Sequence, residues 1–287
     1  MAIPYTIREK TQYRDHWQHN ARHIESQGCY DWMAAQLDAL QPRKILDIGC
    51  GVGSGLLALL DRFSPAIVAL EENADCLDTT CEAVAAAGRP VTGIVRLFYH
   101  EHPDGTHDLL IDQGPIKIER AITVVHADLL LDDGKLHDLL MREAPFDAVT
   151  VWLMGTYKFR ESCRNLSNLG IEGGGDYRLH VQNKAYELAD KILRPGGWLH
   201  IVDRGEVPNP ELRDDLIRSH QDQASPTRLE FHRFTLRPYE EITTNGIRLQ
   251  ITPRTSGRTV EKIEQMALLS IISRMPAKRG EDGVPSA

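Results

Sequence analysis

The run Lys44-Ile45-Leu46-Asp47-Ile48-Gly49-Cys50-Gly51-Val52-Gly53-Ser54-Gly55 restricts the chain more than any other stretch. Ile45, Leu46 and Ile48 close a buried strand with an acid among them. Four glycines then alternate before Leu56-Leu57-Ala58-Leu59-Leu60 turns helical. A strand that stops at such a run lets backbone pass within contact distance of a ligand, because no side chain intervenes. The first turn of the following helix aims unpaired N–H groups at the same place. The sequence therefore predicts a cofactor loop at a strand-to-helix corner.

Spacing narrows the choice of cofactor. A dinucleotide fingerprint needs G-x-G-x-x-G, and here the third fingerprint position is Ser54. No lysine follows as in a phosphate loop, and Asp47 suits a ligand that carries an ammonium group. An acid followed by G-x-G-x-G resembles motif I of the class I S-adenosylmethionine-dependent methyltransferases. A nicotinamide dehydrogenase is the fold-level rival, and the chain contains no Tyr-x-x-x-Lys.

Further signals fall in order behind this corner. Ala66–Leu70 reads as a second buried strand ending at Glu71-Glu72. An acid at that point is placed for the two hydroxyls of a ribose, with Glu71 favoured because it directly follows the apolar run. The alternative for either acid, and more for Glu72, is a helix N-terminal charge favoured by the dipole. Ala121–Val125 makes a third strand, after which Asp128 and Leu129 match the family pattern of an acid for the adenine amine and an apolar neighbour for the ring. Helix capping ahead of Asp133–Met141 is the structural alternative for Asp128. Phe146–Trp152 is a fourth strand, so Trp152 and the following Leu153–Tyr157 reach the active-site edge by position. The Leu-x-Pro-Gly-Gly turn at 193–197, before a fifth strand over 198–203, also resembles this family.

The resemblance spans roughly residues 30–203. It implies an α/β fold: a doubly wound, seven-stranded, mostly parallel sheet with an antiparallel edge strand and helices on both faces. It also implies S-adenosyl-L-methionine as methyl donor, with S-adenosyl-L-homocysteine as product. The cofactor set it implies is Asp47, Gly49, Cys50, Gly51, Gly53, Glu71, Glu72, Asp128, Leu129 and Trp152.

Around this core, residues 1–42 read as an N-terminal helical cover. Residues 43–253 read as the core, with an inserted hairpin at about 91–118 and a lid at about 156–180 that contains Gly173-Gly174-Gly175. Residues 254–287 read as a final amphipathic helix over 259–274 and a disordered tail. His16, His19 and His23 share one helical face. They read as a polar face covering the core, or as part of a substrate-side lid in which one acts as base. A metal triad lacks the H-E-x-x-H or carboxylate signature, so no metal is expected. Tyr157 is the other candidate base.

The chemistry implied is in-line methyl transfer, and the expected acceptor is a small molecule. Methylation of RNA or protein through the C-terminal arginines is the catalytic alternative, and donor binding without catalysis is the alternative from another class. A net charge of −8 argues against nucleic acid as partner, and the absence of Asn/Asp-Pro-Pro-Tyr after the fourth strand argues against a base-flipping enzyme of that type. No apolar run is long enough to cross a bilayer, so no membrane contact is expected. Residues 1–10 lack the apolar core of a signal peptide, and the five cysteines show no C-x-x-C, which makes the cytoplasm the expected compartment. The sequence leaves the oligomeric state open.

Overall fold

The computed structural model describes residues 5–155, 160, 162–171, 173–247 and 265–277. Helices α1 (Tyr5–Ser26) and α2 (Cys29–Ala35) precede strand β1 (Lys44–Ile48). From there strands and helices alternate through α3 (Ser54–Phe63), β2 (Ala66–Glu71), α4 (Ala74–Ala86) and β3 (Val91–Ile94). Strands β4 (Leu97–Glu101) and β5 (His107–Ile111) form a separate antiparallel hairpin before β6 (Ile122–His126), α5 (Gly134–Glu143) and β7 (Phe146–Trp152). A short 3-10 turn (Arg164–Leu169), α6 (Gly174–Ile192), β8 (Leu193–Glu206), α7 (Pro210–Ala224), β9 (Glu230–Tyr239) and β10 (Met266–Arg274) complete the order.

The main sheet runs β3-β6-β2-β1-β7-β8-β10-β9. The pairings from β3 through β8 are all parallel, so the C-terminal ends of β6, β2, β1 and β7 lie side by side along one edge. Strand side chains alternate between faces. Ile45, Ile67 and Ala69 therefore pack with residues of α1–α4, while Leu46, Ile48 and Val68 pack with residues of α5, α6 and α7. This is a doubly wound α/β arrangement.

Three expectations change. The sheet has eight strands, not seven, because Val91–Ile94 pairs with β6 as a parallel edge strand instead of starting the hairpin. The antiparallel strand is not at the edge: β10 is inserted between β8 and β9, antiparallel to both. The amphipathic helix expected over 259–274 is, in its described part, this same β10, so the core extends past residue 253. Residues 267–273 are all buried, and such a continuous apolar run carries no period by which a helix could be told from a two-sided strand. Of the strand expected over 246–251, residues 248–251 lie outside the described residues, and Gly246 and Ile247 are not strand. The glycine triplet expected in a lid instead leads into α6, with Gly174 and Gly175 already helical.

The hairpin is fastened over the strand ends. Arg96, just ahead of β4, pairs with the buried Asp133 and donates to the Asp112 carbonyl at 2.7 Å. Asp133 also caps α5 by accepting from the Lys135 and Leu136 amides at 3.1 Å. Tyr99 of β4 donates to the Glu72 carbonyl at 3.1 Å, and the Leu109 amide and carbonyl both bond the Asn165 side chain.

Candidate active site at the strand ends

At the end of β1 the chain turns through Gly49, Gly51 and Gly53, with φ of 77°, 59° and 90°. These are left-handed values that side-chain-bearing residues rarely adopt. The corner is held from below and from the side. The Gly49 amide donates to the Leu70 carbonyl at 2.8 Å, and Thr80 Oγ1 donates to the Gly51 carbonyl at 2.8 Å. The buried Cys50 thiol sits 3.9 Å from Thr80 Oγ1, and burial raises its pKa well above the ordinary thiol value.

Three carboxylates lie at this edge. Asp47 falls on the α1–α4 face, where Thr150 of the adjoining β7 donates to its Oδ1 at 2.7 Å. Burial pushes its pKa up to about 6 against that hydrogen bond. Glu71, at the end of β2, reaches back to the corner: its Oε2 accepts from the Gly51 amide at 2.7 Å and its Oε1 from the Asn73 amide at 3.0 Å. Burial first, and the neighbouring Glu72 charge second, push Glu71 up to about 8 although both amides favour the ionised form. Asp128, beyond β6, accepts from the Leu130 amide at 2.9 Å and is ion-paired to Arg160. Leu129 beside it packs, partly buried, against the core on the α5–α7 face.

Arg160 joins two of the strand ends. Its guanidinium also pairs with Glu72 Oε2 at 3.0 Å and donates to the Tyr177 hydroxyl at 2.9 Å, with only 2% of the side chain exposed. Trp152, closing β7, packs edge-on against His200 and donates to its Nδ1 at 3.1 Å.

The expected N-terminal cover is α1, and its inner face differs from the one the histidines suggested. Trp17 is buried against the corner: a Cβ added at Gly51 would meet its indole nitrogen at 2.6 Å. A Cβ at Gly155 would meet the Tyr13 hydroxyl at 2.1 Å. The cavity left among Trp17, Tyr30, Asp47, Gly49 and Trp152 is about 20 Å³, room for roughly one water. Asn73 donates to the Lys10 carbonyl at 3.1 Å, the Thr6 amide donates to Glu101 at 2.6 Å, and the Lys10 ammonium lies 3.7 Å from the Tyr99 ring centre. The cover is thereby tied to both α4 and the hairpin.

His19 is exposed and its Nδ1 bonds the Asp15 carbonyl of its own helix at 2.8 Å. His23 Nε2 bonds the Glu240 carbonyl at 2.8 Å, and His16 is half-buried beside Trp17. The structure does not bring the three histidines together at the glycine corner. Tyr157 lies outside the described residues. Among the described residues no group of three or more metal-ligating side chains could hold an ion, and no helix is long and apolar enough to cross a membrane. Sequence reading missed Tyr13, Trp17 and Arg160. The first two had a signal: Tyr13, Trp17, Ala21 and Ile24 recur at helical spacing as the apolar stripe of α1, and the histidines fall beside that stripe.

No protein-family model matches the chain, and no curated protein matches it. Several solved structures are similar to it at low identity. A putative sarcosine dimethylglycine methyltransferase from Galdieria sulphuraria is 13% identical over 88% of this chain and 86% of that one, with a TM-score of 0.46. TYW2 of M. jannaschii in complex with AdoMet is 11% identical over 88% and 76%, also with a TM-score of 0.46. The StiE O-MT segment is 12% identical over 74% of this chain, which spans about half (53%) of that one, with a TM-score of 0.43. Likeness at this level says nothing of what this chain binds or modifies.

Proposed function

We propose that the chain is an S-adenosylmethionine-dependent methyltransferase with a small-molecule acceptor. The observation that carries this reading is the Glu71 carboxylate reaching the Gly51 amide at 2.7 Å, on the edge where Asp47, near the end of β1, and Asp128, just past β6, also lie. When bound, the donor supplies an electrophilic methyl on a sulfonium, open to in-line attack by the acceptor.

The residues present fit such a molecule. Gly49, Gly51 and Gly53 put no side chain of their own where a nucleoside would lie once Trp17 is withdrawn from Gly51, Asp47 offers a carboxylate to an ammonium group, and Glu71 offers acceptors to ribose hydroxyls. Glu72 holds Arg160 beside them, Cys50 packs beneath the turn, and Asp128 with Leu129 offers an acceptor and an apolar contact for the base. Trp152 and Trp17 wall the reacting end and exclude water, which strengthens every charge interaction inside. A cavity of about 20 Å³ is far smaller than a ligand pocket, so α1 has to lift for the site to load. The work of the protein is then alignment and dehydration of the two reactants. A base is required only for a hydroxyl or acidic-carbon acceptor. With His19 and His23 bonded to carbonyls elsewhere, His16 and Tyr157 are the remaining candidates.

Calorimetry with S-adenosylhomocysteine tests this directly. The wild-type chain should bind it. Gly51→Val, which forces a side chain into a φ of 59° and against Trp17, should weaken binding by on the order of a hundredfold or more while a cooperative melt persists. Equal affinity for the two proteins would remove the loop from the site. Donor binding without transfer of labelled methyl to any metabolite fraction would make the chain a binding protein instead of an enzyme.

A further inference from the structure

Asp128 already has a partner of the kind proposed for it. One carboxylate oxygen accepts from the Leu130 amide at 2.9 Å, and the other faces the Arg160 guanidinium, with 0% of the Asp128 side chain and 2% of the Arg160 side chain exposed. Arg160 follows β7 in the chain, and its guanidinium lies across the ends of β6 and β2, between Asp128 and Glu72. That is where the base and ribose of the donor are assigned above. A guanidinium and the exocyclic amine of adenine both present N–H donors in a plane, so they compete for the same carboxylate oxygen.

We propose that Arg160 is a built-in occupant of the nucleobase site and sets its specificity: only a base that presents an amine can take Asp128 from it. This rests on the donor reading above.

Two observations make the exchange feasible. The guanidinium holds two further partners on this edge, Glu72 Oε2 at 3.0 Å and the Tyr177 hydroxyl at 2.9 Å, and it lies 4.7 Å from the Tyr177 ring centre. When it leaves Asp128, its charge stays paired and is not stranded in a buried site. A base with a carbonyl in place of the exocyclic amine turns an acceptor toward Asp128, so it leaves the ion pair in place and binds without that contact. The missing contact discriminates more strongly than shape does.

The test uses the full chain, calorimetry and two probes, S-adenosylhomocysteine and its inosine counterpart, which lacks the amine. Arg160→Met keeps most of the side-chain volume and removes the competitor. It should tighten S-adenosylhomocysteine by about tenfold, a typical coupling between competing contacts, and leave the inosine compound where it was. Arg160→Lys keeps the charge but loses the fork that spans Glu72 and Asp128, so it should give a smaller gain of roughly threefold. It carries the test if the methionine variant does not fold. Weaker or unchanged binding of S-adenosylhomocysteine, or an equal gain for both probes, overturns the role of Arg160 and leaves the donor reading standing. Failure of wild type and both variants to bind either probe overturns the donor reading, and this inference with it.

Discussion

Along the sheet edge, the polar groups of Asp47, Glu71 and the glycine corner are fixed by strand register and backbone amides. In the cover they are fixed by side chains that reach across from α1 and the hairpin. Glu71 sits on the Gly51 and Asn73 amides, and Asp47 meets Thr150 across paired strands. The cover hangs on Thr6 with Glu101, Thr11 with Asp75 at 2.5 Å, and Lys10 over Tyr99. Contacts of the first kind persist as long as the sheet does. Those of the second kind can break one at a time, which the proposed loading of the site requires.

Trp17→Ala strikes this contrast hardest. Deleting a 6% exposed indole should lower unfolding stability by about 3 kcal/mol in a denaturant titration. In stopped-flow mixing it should also quicken association of S-adenosylhomocysteine. An unchanged association rate would mean that α1 does not close the site.

Glu71 sharpens the other half. Its pKa lies near 8 in the folded chain against 4.5 as the ordinary value, so the folded form binds its proton more tightly. The stabilisation is complete below about pH 4.5 and is lost as pH rises through 8. Asp47, raised from 3.8 to about 6, adds a fall of the same sign that is finished by about pH 6. The decline in melting temperature between pH 6 and 8 is therefore assigned to Glu71 and should flatten in Glu71→Gln. A slope that survives the substitution would locate the titrating group elsewhere.

The smallest effects belong to the outer side of α1. His19→Asn and His23→Asn should each change stability and S-adenosylhomocysteine affinity by no more than about 0.5 kcal/mol. A tenfold loss in either assay would bring that histidine back into the site.

The same contrast governs what could be read from the chain. A strand that ends on an acid or a glycine writes its position into local sequence, so the β1 corner and the acid after β2 are legible as neighbours at one edge. Arg160 is not, because its partners Asp128 and Glu72 come from two other strand ends, and only the β6-β2 pairing makes them adjacent. In α1 the histidines drew attention as reactive side chains, while the apolar stripe of Tyr13 and Trp17 indicated the inward face. The final strand is illegible in sequence for a different reason. Residues 267–273 are buried on both sides, and their largely apolar run says that the segment is interior without saying which element it is.

That final strand also constrains how the molecule is assembled. Among the described residues β9 is joined to the rest of the sheet only through β10, which is made after it. During synthesis β9 therefore has no partner in the sheet until residues 266–274 leave the ribosome. Until then β8 lacks its neighbour on that side, so the step most open to mispairing falls between the synthesis of β9 and that of β10.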